Sequence, residues 1–263
     1  MSIGKDLLSG LATVALTSSI GEPVSAAYLG ATVQPIFNAT IEEFKKRVLS
    51  VRETNRIDKV LNDAVNKIKI RLEKGDIPRN DGFWTESHVE VSDAKAILEG
   101  ILLKSRDEYE EKKLPFYSNL ISQMVFDTSW SYERLNAMIR MFEQLSYRQL
   151  QMMSLAQQKG EIQTPQWIVR FKKTPKSYAY YDLFCEVSGL SNLALFQQPG
   201  GGYMQGLGAK QELSPIGKSM ADLMELSSMP QEELDALDKM LDLLNNAILL
   251  PLSQCVEHNF PVN

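Results

Sequence analysis

The chain has 263 residues, a formal net charge of −5 at pH 7, and 44% hydrophobic and 23% charged residues. This length is enough for one large or two ordinary domains, and the composition excludes wholesale disorder and fibrous classes. The two cysteines cannot by themselves form a disulfide framework or a structural zinc site, and the two histidines leave little material for metal or acid–base chemistry. An isoelectric point near 5.3 argues against a protein whose whole surface binds nucleic acid.

Charge is unevenly distributed along the chain. Residues 42–80 have a net charge of +4 and residues 81–146 a net charge of −5. Residues 147–222 then have +3 and residues 223–263 have −6. The chain therefore alternates in sign and does not divide into an acidic half and a basic half.

The first forty residues are poor in charge and rich in small side chains. They lack the basic start and continuous apolar stretch of a secretory signal, so we predict a retained, cytoplasmic chain whose cysteines stay reduced. Residues 23–41 are 19 uncharged residues, a length that could span a bilayer, although Pro35 interrupts them. We expect this segment either to pack within the fold or between copies, or to insert reversibly into a membrane. The predicted membrane or oligomer contacts are Gly10, Ala15, Ala27, Gly30 and Phe37.

Helical periodicity predicts most elements of the first half. Apolar residues recur at three- and four-residue steps over 57–72, which predicts a long amphipathic helix. Ser92 is the predicted N-cap of a second helix, whose charged end at 106–113 we expect to be a solvated face with local ion pairs. Pro115 begins or kinks a third helix, and residues 132–142 carry a fourth apolar stripe.

Local signals also predict the elements of the second half. Ser146 and Gln149 form a Ser-x-x-Gln capping box, which begins a helix that runs to Gly160. Residues 167–171 are the only alternating, β-prone run in the chain. Residues 234–248 form the last apolar helical stripe.

Four features of the second half follow one another in the order found in winged-helix modules. Residues 145–149 read Leu-Ser-Tyr-Arg-Gln, a helix pair is predicted over 178–197, and residues 199–208 are rich in glycine. Residues 213–217 then read Leu-Ser-Pro-Ile-Gly, in which Ser214 is the predicted N-cap of a helix that begins at Pro215. The segment 145–226 resembles winged-helix modules of the MarR and PadR groups, which open with Leu-Thr/Ser-x-x-Gln and have Leu-Thr-x-x-Gly after the wing.

This resemblance implies that a helix over 191–198 is the recognition helix and that the module binds DNA or a protein partner. Residues 188–190 separate this helix from the one before it, and Ser191 is its predicted N-cap. It contains no Lys or Arg, whereas DNA-binding helices normally bring cations to phosphates, so both kinds of partner stay open. The predicted nucleic-acid or partner contacts are Arg170, Lys172, Lys173, Lys176, Asn192, Gln197, Gln198 and Lys210.

No catalytic or cofactor motif is complete. Residues 217–219 read Gly-Lys-Ser like the end of a P-loop, but Glu212 stands where that motif needs its first glycine. Cys255 and His258 would need further ligands to hold a metal ion, and Cys185 is expected in the core. We therefore predict no catalytic residue, no metal site and no cofactor.

The predicted fold is all-α, a multi-helix bundle followed by a winged-helix-like module with a small β wing. The predicted domains are residues 1–80, 81–144, 145–226 and 227–263. The stretch 112–150 is similar to bacterial helical proteins of the abortive-infection kind, which implies a role in phage defence. We predict a non-enzymatic regulatory or interaction protein that forms homo-oligomers or binds a protein partner, with DNA and reversible membrane contact left open. The alternative is a membrane-perturbing effector that uses the N-terminal apolar segment.

Overall fold

The computed structural model describes residues 29–85, 91–164, 175–200 and 210–249. These residues are mainly helical and include one small antiparallel sheet, as the sequence predicts. The chain divides into two compact units, unit 1 over residues 1–144 and unit 2 over residues 145–263. The predicted boundaries at 80/81 and 226/227 fall inside these units.

The described part of unit 1 contains five α-helices. They are α1 (Gln34–Lys45), α2 (Val51–Glu73), α3 (Asp93–Asp107), α4 (Leu114–Phe126) and α5 (Tyr132–Gln144). A π-helical turn at Leu29–Val33 precedes α1, and 3-10 turns lie at Gly82–Trp84 and Glu111–Lys113.

The ends of these helices follow from local capping chemistry. Ser50 and Glu53 form a reciprocal capping box at the start of α2. The predicted cap of α3 is confirmed, because the Ser92 side chain accepts a hydrogen bond from a backbone N–H of the first turn. Pro115 lies in the first turn of α4, where its missing N–H costs nothing. Gly75, with φ of +90°, follows α2 in a conformation that favours glycine.

Helix α4 lies at the centre of unit 1 and packs against both α2 and α3. Eleven of its thirteen residues are buried. Tyr117 and Phe142 meet edge to face with ring centroids 4.7 Å apart, which joins α4 to α5. Polar contacts also join α2 to α4, since Arg71 Nη1 donates to Gln123 Oε1 at 3.0 Å.

Helix α1 belongs to the core of unit 1. It packs against α3 and buries an apolar face that includes Ile36, Phe37 and Phe44. Pro35 lies in its first turn, so this proline begins a helix and does not interrupt one. None of the helices in the described residues is both long and apolar enough to cross a bilayer.

The described part of unit 2 contains four α-helices and a three-stranded sheet. The helices are α6 (Tyr147–Lys159), α7 (Pro175–Asn192), α8 (Pro215–Leu223) and α9 (Gln231–Leu249), with a 3-10 turn at Leu226–Ser228 before α9. The strands are β1 (Ile162–Gln163), β2 (Phe196–Gln197) and β3 (Lys210–Leu213). The sheet order is β1-β3-β2, and both pairings are antiparallel, with Ile162 opposite Gln211 and Phe196 opposite Leu213.

Helix α6 is the element on which unit 2 is assembled, because it contacts α7, α8, α9 and the sheet. Its predicted capping box is confirmed, with the Ser146 and Gln149 side chains each accepting from the other's backbone N–H. Within α6, Ser154 Oγ donates to the Leu226 carbonyl at 2.7 Å. The predicted Ser214 cap of α8 is also confirmed, since Gly217 N donates to Ser214 Oγ at 3.0 Å.

The predicted break at residues 188–190 is wrong, because α7 is one continuous helix to Asn192. Gly189 lies inside it, and a Cβ built there would be 2.5 Å from Gln149 Nε2. The glycine therefore allows the Gln149 side chain of α6 to approach the α7 backbone closely. After Asn192 the chain turns through Ala194, with φ of 55°, into β2, so no recognition helix exists over residues 191–198.

Candidate functional site

The structure disperses the predicted partner-contact residues of unit 2. Arg170, Lys172 and Lys173 lie outside the described residues, and Lys176 lies in the first turn of α7. Asn192 is the exposed last residue of α7, whereas Gln197 and Gln198 lie on or directly after β2. The expectation that Asn192, Gln197 and Gln198 share one helix is therefore wrong.

The outer face of the sheet is occupied by polar pairs. Gln197 Nε2 donates to Glu212 Oε1 at 2.7 Å between β2 and β3. The Lys210 ammonium pairs with the Glu161 carboxylate beside β1. A phosphate approaching Gln197 or Lys210 would meet these two carboxylates first, so the sheet face is a poor surface for nucleic acid.

Helix α7 presents an outer face opposite its buried face, with Asp182 as its one charged residue. Leu183, Val187 and Leu190 point into unit 2 at the three- and four-residue spacing of a buried face. Tyr181, Asp182, Cys185 and Asn192 are exposed, with Ser188 half-buried between them. These five residues are the α7 outer face, which contains no Lys or Arg.

Cys185 belongs to this face and not to the core as predicted. It is exposed because it lies two residues from both Leu183 and Val187, which is about 200° around a helix from each. The spacing of the apolar residues along α7 already indicates that Cys185 is exposed, although residue type alone would place a cysteine in the core.

Contacts with α6 hold α7 in place. Ser146 Oγ donates to Glu186 Oε2 at 2.8 Å, and Gln149 Nε2 donates to the Glu186 carbonyl at 2.9 Å. The capping residues of α6 therefore also fasten α7. Burial, followed by a hydrogen bond to Glu233, raises the pKa of Tyr147 at the same end of α6 to about 12, so its hydroxyl stays protonated.

The described residues of unit 2 are acidic as a group. They contain six Lys and Arg against eleven Asp and Glu. A DNA-binding module gains much of its affinity by releasing counterions from phosphates, which requires clustered cations. The described surface of unit 2 does not provide such a cluster.

In unit 1, the predicted solvated face at residues 106–113 is only partly solvated. Lys113 Nζ lies 2.6 Å from Glu108 Oε2, and the two side chains are only 3% and 5% exposed. The Tyr117 hydroxyl donates to the same carboxylate at 3.2 Å. Lys113 Nζ also lies 5.0 Å from the centroid of the Phe142 ring. Glu108, Lys113 and Tyr117 form what we call the buried ionic cluster.

In the buried ionic cluster, both charges and the Tyr117 hydroxyl have partners within hydrogen-bonding distance. Burial, assisted by the Glu108 charge, raises the pKa of Tyr117, so the hydroxyl remains a donor. The Glu108 carboxylate also accepts from its neighbour Glu110 N at 3.0 Å, which leaves each charge compensated. Sequence patterning missed the cluster, although Lys113 directly precedes the almost wholly buried α4 and this was an available signal.

The rest of the charged run agrees with the predicted local ion pairs. Arg106 Nε lies 2.7 Å from Asp107 Oδ1, and Arg56 Nε lies 2.9 Å from Glu111 Oε1. Hydrogen bonds from these guanidinium groups hold the pKa of Asp107 and of Glu111 below the usual range. Asp107 and Glu111 are exposed, so these pairs contribute little to stability.

The predicted membrane or oligomer contacts of the first forty residues are mostly beyond the described ranges. Gly10, Ala15 and Ala27 lie outside them, and Gly30 lies in the π-helical turn before α1. Phe37 is completely buried. In this fold Phe37 is part of the core of unit 1 and is not a surface contact.

No metal site is found in the part of the chain that the structure describes, where no three His, Cys, Asp or Glu side chains lie close enough to share an ion. Cys255 and His258 lie outside that part. Gly217, from the incomplete P-loop motif, has a local structural reason, because a Cβ there would lie under 3.0 Å from the Leu195 carbonyl oxygen.

Comparisons with known proteins find no relative: no protein-family model, curated protein or solved structure matches this chain. The resemblances to winged-helix modules and to abortive-infection proteins therefore stay predictions.

Proposed function

We propose that this protein is a non-enzymatic interaction protein that self-associates, and that its second unit is a winged-helix-like module. The observation that supports this proposal is the interleaving of α6, β1, α7, β2, β3 and α8 with a sheet of order β1-β3-β2. In this arrangement β2 and β3 are the hairpin that forms the wing, and β1 pairs with β3. Helix α7, which directly precedes the hairpin, then takes the place of the recognition helix.

The charge of this module favours a protein partner over a DNA partner. The described residues of unit 2 have an excess of carboxylates, and the α7 outer face contains Asp182 and no cation. On this face a phosphate would meet a carboxylate and no compensating cation. A partly exposed aromatic ring such as Tyr181 is typical of protein interfaces.

The occupant of the α7 outer face that we propose is a second copy of the chain. Two α7 helices packed antiparallel about a twofold axis would place Cys185 opposite Ser188 of the other copy, in the uncharged middle of this face. Asp182 would lie near Asn192 of the other copy, whose amide can donate to a carboxylate. No like charges face each other in this pairing.

Oxidative cross-linking tests the contact directly. In a Cys255→Ser variant, Cys185 is the only thiol, and copper-phenanthroline should convert the protein to a covalent dimer. Sedimentation velocity of the reduced protein should show a dimer that Tyr181→Asp shifts toward monomer, while Ile216→Asp, at an exposed position on α8, should leave it unchanged. A monomer at all concentrations, or no cross-link, would contradict self-association through α7.

A DNA titration tests the choice of partner. Fluorescence anisotropy with a labelled random-sequence duplex should show no binding beyond weak background at 150 mM salt. A tight complex with a steep salt dependence would show that the basic residues outside the described ranges dominate, and that the module binds DNA.

A further inference from the structure

The connection between α1 and α2 combines exposed apolar side chains with cations. Residues 45–52 read Lys-Lys-Arg-Val-Leu-Ser-Val-Arg. Val48, in the connection, is 103% exposed, and Val51, the first residue of α2, is 70% exposed, which is unusual for two branched aliphatic side chains so close in the chain. Lys46 and Arg52 are exposed beside them.

A third exposed apolar residue, Tyr109, belongs to the same region. Arg52 and Arg56 both donate to Glu111 Oε1, at 3.3 Å and 2.9 Å, so the segment after α3 lies against the first two turns of α2. Tyr109 lies two residues before Glu111 and is 76% exposed. We call Lys46, Val48, Val51, Arg52 and Tyr109 the α1–α2 corner. It contains three of the nine exposed large apolar residues in the described part of the chain.

Side-chain contacts and a helix cap lie on both sides of the corner. Arg47 pairs with Glu99 of α3, and Lys95 Nζ lies 2.8 Å from Glu43 Oε1 of α1. The Ser50 capping box fixes the first turn of α2. Val48 and Val51 are therefore exposed on a segment that has contacts at both of its ends.

The carboxylates near the corner are engaged by neighbours. Glu53 is part of the capping box, Glu111 is shared by Arg52 and Arg56, and Asp107 pairs with Arg106. Lys46 is exposed and forms no ion pair within 4 Å among the described residues, although its charge acts on Glu43, and the Arg52 side chain remains 69% exposed. Positive charge is therefore available at the rim of an apolar tip, whereas the nearby negative charge is compensated.

We propose that the α1–α2 corner docks on the surface of an anionic lipid bilayer. Val48 and Val51 would enter the boundary between headgroups and acyl chains, and Tyr109 would lie at headgroup level, where aromatic rings with a polar tip concentrate. Lys46 and Arg52 would contact lipid phosphates. A fully exposed, protruding valine fits a headgroup layer, whereas a protein partner would need a matching pocket.

This inference uses unit 1 alone and does not depend on the proposed α7 contact. It also differs from insertion of the N-terminal apolar segment, because the corner follows that segment and would bind at the surface without spanning the bilayer.

Vesicle co-sedimentation with the full-length chain tests the proposal. The protein should sediment with vesicles of phosphatidylcholine and phosphatidylglycerol, and much less with phosphatidylcholine alone. Val48→Asp/Val51→Asp should weaken binding about tenfold or more, since it removes the apolar contribution and adds like charge. Ile77→Asp, at a 72% exposed site of the same unit, is the matched control and should bind as the unmodified chain does.

Two further variants, each with a control, test the electrostatic and the apolar contributions to vesicle binding separately. Lys46→Glu should weaken binding and reduce its salt dependence, while Lys74→Glu, at another exposed lysine, should have a smaller effect. In a Val48→Trp variant, anionic vesicles should shift the added fluorescence to shorter wavelength. An Ile77→Trp variant should show no such shift.

Three results would overturn the proposal. These are no binding to anionic vesicles, equal binding by the Val48→Asp/Val51→Asp variant, and a lipid-free change in sedimentation mass caused by that variant. The last would make the corner an interface between copies. Tyr181→Asp should leave vesicle binding unchanged, so failure of the corner and failure of the α7 contact are distinguishable.

Discussion

Unit 1 and unit 2 differ in how their buried polar side chains find partners. In unit 1, Arg79 is only 4% exposed and donates to Asp81 Oδ1 and to the Trp130 carbonyl, both at 2.9 Å, and the buried ionic cluster adds a second charged centre. In unit 2, Ser154 and Ser214 donate to backbone carbonyls. Among the described residues, the buried charged side chains therefore belong to unit 1, whereas the buried polar side chains of unit 2 are neutral.

The difference determines which substitutions each unit tolerates. A buried ion pair contributes little by itself, but removing one member leaves an uncompensated charge. Unit 2 instead relies on close approach at Gly217, where a methyl group would meet the Leu195 carbonyl oxygen, and at Gly189, where it would displace the Gln149 side chain. A single substitution should therefore be most destabilising at a buried charged side chain in unit 1 and at a closely packed glycine in unit 2.

The largest effect is expected from Lys113→Met, which strands the Glu108 carboxylate. We expect a loss of about 3–5 kcal/mol in the free energy of unfolding, with most of it recovered in Lys113→Met/Glu108→Gln, where the amide can still accept from Tyr117. Urea unfolding followed by tryptophan fluorescence measures it, because Trp84 and Trp130 are both buried in unit 1. A single-variant loss below about 1 kcal/mol would mean that charge compensation is not what holds unit 1.

Gly217→Ala should cost unit 2 about 1–3 kcal/mol, because the new methyl group meets the Leu195 carbonyl. Gly100→Ala in α3 is the control, since nothing lies within 4 Å of a Cβ there and alanine favours a helix. Amide hydrogen exchange should show faster exchange in α8 for the first variant and no loss of protection in α3 for the second. Equal behaviour of the two would remove steric fit as the feature specific to unit 2.

Ser146→Ala compares helix caps in the two units. Loss of a cap costs about 1 kcal/mol, and Ser146 also donates to Glu186 on α7, whereas Ser92 has only its capping role among the contacts described. We therefore expect Ser146→Ala to lower the unfolding midpoint more than Ser92→Ala does. The reverse order would show that the contact between α6 and α7 adds nothing to the cap.

As the pH falls, we expect unit 1 to lose stability before unit 2. The loss in the free energy of unfolding per titrating group should be the smallest of the effects predicted here. Six carboxylates of unit 1 have a lowered pKa, among them Asp81, whose pKa the Arg79 guanidinium lowers. A lowered pKa stabilises the fold above the unfolded value of about 4, and this stability is lost as the pH falls toward the folded value. Asp58, whose pKa burial raises, acts in the opposite direction.

Hydrogen exchange at pH 3 and pH 5, corrected for intrinsic rates, should therefore show protection lost first in α2 and α4. Earlier loss in α6 or α7 would contradict the assignment of charge-dependent stability to unit 1.

Helix ends were predictable because capping acts within a few residues. Ser146 with Gln149, Ser214 before Pro215, and Ser92 all occupy the positions that the sequence indicates. Each signal is complete within one turn, so no knowledge of the tertiary fold is needed.

Features that depend on distant partners were not predictable in the same way. From sequence alone, Gly189 indicates a helix break. In the structure it lies within α7 beside Gln149, which is 40 residues earlier in the chain. The burial of Glu108 and Lys113 depends on Tyr117 and on a ring from α5.

The candidate contact site in the structure therefore differs from the one predicted from sequence. The contact face proposed for α7 runs from Tyr181 to Asn192 and shares only Asn192 with the residues predicted from sequence.

The hairpin of unit 2 is fastened at its base. Ser214 donates twice to the turn after α7, from its backbone N to the Leu195 carbonyl at 3.0 Å and from its hydroxyl to the Ala194 carbonyl at 2.5 Å. These bonds hold the two ends of the hairpin together. The entropy cost of closing a flexible connection rises only slowly with its length, so a longer connection between residues 198 and 210 would add little to that cost. An epitope or reporter peptide grafted there would leave the register of β2 and β3 intact, which gives this chain a natural insertion point.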